Sequence, residues 1–468
     1  PETEITSIVY DSRKAEPGCL FAAVSGFASD GNRFIPMALE KGAAAVITAR
    51  KPEGNVPYVR VASDRLALAQ TACNFYGNPV KSMKLIGITG TNGKTSVTLL
   101  LKSVLEQTRG TMVGLVGTMG NLIGQEAIPS DRTTPESLEL QQLFARMRDV
   151  GCQYAVMEVS SHAIALDRVG GVHYDVAAFT NLTEDHLDFH KTMDAYCDTK
   201  AELFRRCDKA VINRDDPYAS RMLRAASCPV LTVSAHKEAG LFAKDIALHA
   251  QGVEFTAVCG EETARVEVPI PGRFTVYNAL TVLGVAKQLG ISLAECAEAL
   301  GRVSGVKGRI EVVPTPGMPY TVLIDYAHTP DGLEKVLLSA RDFCKGRLIA
   351  VFGCGGDRDP MKRPIMGKIG VKNADFAVIT SDNPRTEDPM AIIADIVKGI
   401  TPDMGEYTVI EDRRKAIRYA MDIGKKNDII VLAGKGHETY QDIGGHKYHL
   451  DEREEVQSYL SELRKAHE

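Results

Sequence analysis

The chain contains no tryptophan, and aromatic residues make up only 6% of its 468 positions, so stacking of a sugar or base on an indole is excluded. No run of about 18 apolar residues occurs, which leaves no candidate membrane-spanning helix, and nothing after Pro1 reads as a signal peptide. Neither sign of charge dominates: 55 basic residues stand against 60 acidic ones, a formal net charge of −5. A nucleic-acid partner is therefore not expected, because phosphate contacts need a basic surface. The ten cysteines show no C-x-x-C pair and no regular spacing, and they read as scattered reduced thiols of a cytoplasmic protein. There is also no internal repeat and no low-complexity segment. What remains is 44% apolar and 25% charged residues, enough for a folded core, over a length that suits about three domains.

The punctuation of the chain divides it at the turn-rich Tyr76-Gly77-Asn78-Pro79 and near Pro314-Thr315-Pro316-Gly317. The expected domains are 1–81, 82–312 and 313–468. In the second and third, short β-rich runs alternate with helical patterns, as in parallel α/β sheets. Expected strands are 84–88, 320–325, 347–352, 376–380 and 429–433, and the charged stretch 451–468 reads as an amphipathic helix. Polar and glycine residues collect just after the apolar strands, at the edge where open α/β sheets bind ligands.

One such edge carries a phosphate loop. Leu85-Ile86-Gly87-Ile88 runs into Thr89-Gly90-Thr91-Asn92-Gly93-Lys94-Thr95-Ser96, and Val97, Leu100, Leu101, Val104 and Leu105 then mark one face of a helix. Glycines let backbone N–H groups approach phosphate oxygens, and the helix N-terminus adds positive potential. Lys94 would reach the β/γ oxygens and Thr95 would offer its hydroxyl to Mg2+. Position 88 is isoleucine where the strict G-x-x-x-x-G-K-[ST] spacing has glycine. The competing reading is a glycine-rich turn that happens to hold a lysine.

Two further strand ends carry charge. Ala155-Val156-Met157 delivers Glu158, and a carboxylate ending a buried strand needs a cation, either Mg2+ or a nearby Lys or Arg. Val176–Phe179 feeds the segment 180–190, whose Asp, Asn and His residues, His186 among them, suit a second metal ligand or a general base. Lys200, by composition alone, reads as a solvated helix lysine.

Taken together, the 87–96, 157–162 and 181–190 segments, in that order, resemble the Mur ligases, ATP-dependent amino-acid ligases of peptidoglycan synthesis. The resemblance extends through Asp11-Ser12-Arg13, Gly272 to Ala279, Asp325-Tyr326-Ala327-His328-Thr329-Pro330 and Gly434-Lys435-Gly436-His437-Glu438, and so covers essentially the whole chain. It implies a small N-terminal α/β domain, a central P-loop-type ATPase domain with a mostly parallel sheet, and a C-terminal Rossmann-like α/β domain. It also implies that ATP phosphorylates a carboxylate, that an amine attacks the acyl phosphate, and that phosphate leaves. Lysine and two Mg2+ ions would stabilise the charge that builds up. Relatives have a leading helix that this chain, beginning close to Asp11, is expected to lack.

By the same resemblance Lys94, Glu158, His186, Lys200 and Arg309 are catalytic. ATP meets Gly90, Thr91, Asn92, Gly93, Lys94, Thr95 and Ser96, with Asn278 at adenine, Arg309 at the γ-phosphate and Asp325 at the ribose. The metals rest on Thr95, Glu158, His186 and Lys200, the lysine as a CO2-derived carbamate. A UDP-sugar dipeptide would be held by Tyr10, Ser12, Phe27, Ala28, Ser29, Thr133, Thr134, Ser160 and Arg168. Leu166 and Arg132 depart from the glutamine and asparagine of many relatives. The string Asp382-Asn383-Pro384-Arg385 marks the subgroup that adds meso-diaminopimelate. The distal carboxylate and ammonium of that molecule call for an arginine fork beside an acid, here Arg358, Asp382, Asn383, Pro384, Arg385, Gly434 and Glu438. The other reading of Arg358 and Arg385 is structural salt bridging. A lysine-adding relative would lack the string, and folylpolyglutamate synthetase would lack a domain like 1–81. A nucleotide-driven switch would need neither Arg385 nor Glu438. A monomer is expected, with closure bringing the second and third domains together.

Overall fold

The computed structural model describes residues 3–26, 29–53, 57–130, 132–303, 305 and 307–467. The chain forms two compact units: 1–242 with 257–263 and 277–299, and 243–256 with 264–276 and 300–468.

The first unit opens with a parallel four-stranded sheet, Ser7–Val9, Cys19–Ala22, Ala45–Thr48 and Tyr58–Arg60, adjacent in that order. Its residues do not stand apart from the central segment. Helix Asp64–Phe75 lies against helix Ser137–Asp149, Arg148 donates to the Tyr76 carbonyl at 2.9 Å, and Arg65 pairs with Glu136 at 3.3 Å.

The central sheet places Lys84–Thr89 between Tyr174–Phe179 and Tyr154–Glu158, all parallel. Val113–Gly117 lies outside Tyr154–Glu158, and Cys207–Asn213 then Val230–Ser234 lie outside Tyr174–Phe179, again in parallel. The middles of these strands are apolar and buried because both faces are covered. Leu85, Ala155, Met157, Ala177, Phe179 and Ala210 belong to one core with Phe144, Tyr196 and Phe204. The apolar face expected after the phosphate loop is real: Val97, Leu100, Leu101, Val104 and Leu105 are all buried in helix Lys94–Arg109.

In the second unit six strands run in the order Glu311–Val313, Thr321–Asp325, Ile429–Ala433, Leu348–Phe352, Phe376–Ile379, Glu406–Val409. All pairs but the first are parallel. Their side chains alternate between two cores, with Leu323, Ala350 and Val431 on one face and Ile324, Val351 and Leu432 on the other. The strands expected from apolar runs fall where the sequence places them, and the terminal helix spans Glu452–His467. Among the described residues, no helix is long and apolar enough to cross a membrane.

Candidate active site

The phosphate loop joins strand Lys84–Thr89 to helix Lys94–Arg109, with Ser96 in the first turn of the helix. The loop after the neighbouring strand braces it. Thr91 N–H donates to the Asn181 carbonyl at 2.8 Å, Asn92 N–H to Asn181 Oδ1 at 2.9 Å, and Thr180 Oγ1 to the Asn92 carbonyl at 2.7 Å. Gly93 has φ +85°, and a Cβ there would lie 2.6 Å from Asn278 Oδ1. Glycine is therefore needed for conformation and for space, and Asn278 stands directly against the loop. Lys94 Nζ folds across it, donating to the carbonyls of Gly90 at 3.0 Å and Thr91 at 2.7 Å.

Glu158 ends its strand only 1% exposed. Its Oε1 accepts from Thr118 N–H at 2.8 Å, and Oε2 accepts from the Thr118 and Thr95 hydroxyls, both at 3.1 Å. Every one of these donors is neutral, and among the described residues no lysine or arginine pairs with it. A buried carboxylate faced by these neutral donors is suited to a cation. No group of three or more His, Cys, Asp or Glu is arranged to hold a metal among the described residues.

Lys200 corrects the reading from composition. It is 1% exposed near the end of helix Met193–Ala201, its Nζ 2.9 Å from the Gly90 carbonyl and 4.6 Å from the centre of the Tyr196 ring. Burial, with Lys94 adding repulsion, pushes its ammonium well below the ordinary lysine range. The Tyr196 hydroxyl lies 3.2 Å from Thr91 Oγ1, so ring, lysine and phosphate loop form one contact chain. His186 is exposed, 3.5 Å from Asp185, and packs edge-on against His162 and Tyr196. Behind it His190 bonds Ser161 Oγ at 2.9 Å, and burial, followed by the repulsion of His162 and Lys200, holds its pKa at about 4.

Beside this cluster, within the same unit, lies a cleft of about 920 Å3 whose lining includes Tyr10, Ser12, Ser29, Arg132, Leu166 and Arg168. Phe27 and Ala28 lie outside the described residues. Arg168 donates to the Thr134 carbonyl at 3.2 Å, and Thr134 Oγ1 donates to the Glu158 carbonyl at 2.8 Å and lies 3.4 Å from Ser160 Oγ. Thr133 Oγ1 lies 3.0 Å from Thr118 Oγ1. The cleft is therefore wired to the Glu158 strand end. Tyr10 donates to Glu139 at 2.7 Å, whereas Ser12 is buried against Met37. Arg132, at one of the two departures, pairs with Glu136, which Arg168 also meets at 3.0 Å.

The second unit carries its own cluster. Asp325 is buried, accepting from Ile310 N–H and Ala327 N–H, both at 2.8 Å. Burial pushes its carboxyl up, against the pull of those bonds and of Arg309, whose guanidinium lies 5.6 Å from the Tyr326 ring centre. Asn383 Nδ2 donates to Glu438 Oε2 at 2.9 Å. Arg385 donates to the Gly356 carbonyl at 2.7 Å and exposed Arg358 to the Asp357 carbonyl at 3.2 Å. A Cβ at Gly355 would lie 2.9 Å from Arg385 and 3.9 Å from Arg358, so the two arginines flank one glycine turn. Neither forms an ion pair among the described residues, which goes against the salt-bridge alternative. Asp382 turns inward instead: its Oδ2 lies 3.8 Å from fully buried Arg413, and a Cβ at Gly434 would meet it at 2.5 Å. Pro384 is buried between Asn383 and Arg385.

Sequence reasoning passed over Thr118, Tyr196, Lys435 and Arg413. Thr118 directly follows strand Val113–Gly117, so the strand-end rule that picked out Glu158 would have found it. Tyr196 and Arg413 carry no local signal, and Lys435 lies in the Gly434–Glu438 string without a role of its own.

A glycine loop between parallel strand and helix, with a buried carboxylate at the adjacent strand end, defines a P-loop-type nucleotide-using enzyme. Comparison with known proteins narrows the class. Family models described as "Mur ligase family, catalytic domain", "Mur ligase middle domain" and "Mur ligase, glutamate ligase domain" match residues 4–76, 88–286 and 308–436. The chain is 50% identical over 468 residues to the UDP-N-acetylmuramoyl-L-alanyl-D-glutamate--2,6-diaminopimelate ligase of Caldanaerobacter subterraneus subsp. tengcongensis, covering 99% of this chain and 96% of that one. It is 48% identical over 466 residues to the protein of the same name from Clostridium botulinum, covering 98% and 96%. A solved structure of that name superposes with a TM-score of 0.79 at 33% identity, covering 98% of this chain and 95% of the other. The MurF ligase of Thermotoga maritima in complex with ADP shares the fold, with a TM-score of 0.61 at 20% identity and 99% of each chain covered. The chain belongs to the Mur ligase family, whose members are ATP-dependent, amide-forming ligases with three domains.

Proposed function

We propose that the chain is the ligase that adds meso-2,6-diaminopimelate to UDP-N-acetylmuramoyl-L-alanyl-D-glutamate, in cytoplasmic peptidoglycan precursor synthesis and as a monomer. The observation that carries the choice of amino acid is the pair Arg358 and Arg385, bonded to backbone carbonyls and without an ion pair among the described residues, on loops of the unit that holds Asn383 and Glu438. Arginine forks bind carboxylates, and the acid receives an ammonium. Residues 1–81 are assigned the uridine nucleotide, 82–312 the ATP, and 313–468 the amino acid.

The roles follow from the chemistry of each group. The N–H groups of the Gly90–Ser96 loop and Lys94 bind and orient the phosphates, and Asn278 faces the base. Arg309 is assigned to the γ-phosphate and Asp325 to the ribose. Arg168, Thr133, Thr134 and Ser160 orient the dipeptide, with Tyr10, Ser12 and the 27–29 turn at the uridine end. The acceptor carboxylate attacks the γ-phosphorus, giving an acyl phosphate and ADP. The free amine then attacks the acyl carbon, and phosphate leaves as the amide forms. Glu158, Thr95 and His186 would hold Mg2+, and so would Lys200 as a carbamate. These ions neutralise charge on the transferring phosphoryl group. The neutral, buried donors around Glu158 fit that role. Lys200 fits the carbamate because only an uncharged amine reacts with CO2, and burial favours that form of this amine.

The test is phosphate release with ATP and the UDP-sugar dipeptide, with either meso-diaminopimelate or L-lysine added. Release should depend on diaminopimelate and be at least about 100-fold less efficient with lysine, which lacks the distal carboxylate. Equal release with lysine, or release without any amine, would refute the assignment.

A further inference from the structure

The proposed amino-acid receptor contains a cation that no role above uses. Lys435 is fully buried on the turn after strand Ile429–Ala433. Its ammonium donates to Asn383 Oδ1 at 3.0 Å and to Glu438 Oε2 at 3.1 Å, and lies 5.6 Å from the centre of the Tyr440 ring. A buried ammonium is costly unless paired, so this one holds its partners firmly. Asp442 N–H also donates to Asn383 Oδ1, at 3.0 Å. The carbonyl end of the amide is thereby filled by two donors, and a flipped amide would set its NH2 group against an ammonium and an N–H. The NH2 end consequently faces the other way, where one hydrogen is donated to Glu438 Oε2 at 2.9 Å. That oxygen of Glu438 now accepts from both Asn383 and Lys435.

We infer that Lys435 is a positioning residue that sets the polarity of the amino-acid receptor. By occupying Asn383 Oδ1 and Glu438 Oε2, it directs the second amide hydrogen of Asn383 to the substrate's distal carboxylate. It likewise leaves Glu438 Oε1 as the acceptor for the distal ammonium. The inference rests on the diaminopimelate reading above. It adds that the recognition groups are fixed from behind by a residue that never touches substrate.

Steady-state kinetics of the full chain test it, using wild type, Lys435→Met, Asn383→Ala and the double variant. Wild type is assayed first with meso-diaminopimelate. Failure there sinks the underlying reading and leaves Lys435 out of account. With a working wild type, Lys435→Met should raise KM for meso-diaminopimelate at least about 30-fold, with KM for ATP and for the UDP-sugar dipeptide within twofold. Because Lys435 acts through Asn383 and Glu438, adding Lys435→Met to Asn383→Ala should cost clearly less than it does in wild type. If Lys435→Met yields no soluble protein, Asn383→Asp replaces it. That variant keeps a carboxyl oxygen for Lys435 but loses the N–H donor, and the same selective KM rise is expected. An unchanged KM for diaminopimelate, or an equal rise in all three KM values, would overturn the inference.

Discussion

Lys200→Ala should lower kcat by about 10³-fold, and bicarbonate or a short carboxylate such as acetate should restore part of it. The wild-type lysine is buried at the phosphate loop, with its amine 2.9 Å from the Gly90 carbonyl and the Tyr196 ring at its side. An ammonium in that position would repel any metal bound near Glu158 and the loop, whereas a carbamate would attract it. The truncation opens a slot that a small carboxylate can fill. Lys200→Arg keeps a fixed positive charge and cannot carry CO2, so it should be equally impaired and resist rescue. The readout is kcat with and without added carboxylate at saturating substrates. Wild-type activity in the alanine variant would exclude the carbamate role.

Glu158→Gln should cost about 10²–10³-fold in kcat without lowering the melting temperature. The amide preserves an oxygen for Thr118 N–H, and the Thr95 and Thr118 hydroxyls can rotate to suit the new NH2 group. What disappears is a buried negative charge that, among the described residues, accepts from the neutral Thr118 and Thr95 donors. Without Mg2+, relieving that charge should leave the folded state as stable as wild type or more so. Activity as a function of Mg2+ concentration, together with thermal unfolding in chelator, checks both halves. A variant that unfolds earlier yet keeps its kcat would make Glu158 a structural residue.

The parts that local pattern reveals are the strands and the phosphate loop. Leu85-Ile86-Gly87-Ile88 is apolar because both sheet faces are covered, and a glycine loop followed by Lys94 and Thr95 has few other uses. Glu158 was legible for the same reason, since a carboxylate ending an apolar run stands out. Lys200 was not, because its burial comes from Tyr196 and the loop around Gly90, which lies 110 positions away. Lys435 and Arg413 escaped on similar grounds. Their partners Asn383 and Glu452 lie 52 and 39 positions distant, and only the fold turns them from surface cations into buried ones. The string puts Asp382 among the substrate contacts, and its carboxylate lies 3.8 Å from buried Arg413, while Asn383 is buried against Lys435 and Glu438. The contacts that tie 1–81 to the central segment were hidden too, since Arg65 and Arg148 reach partners distant in sequence.

The most direct test of ATP-driven amide formation uses UDP-sugar dipeptide carrying 18O in the side-chain carboxylate of its terminal glutamate. With ATP and meso-diaminopimelate, one labelled oxygen should appear in the released phosphate for each amide formed, because that oxygen bridges carbon and phosphorus in the acyl phosphate. Unlabelled phosphate, with both labelled oxygens retained by the acceptor, would contradict the proposed reaction outright.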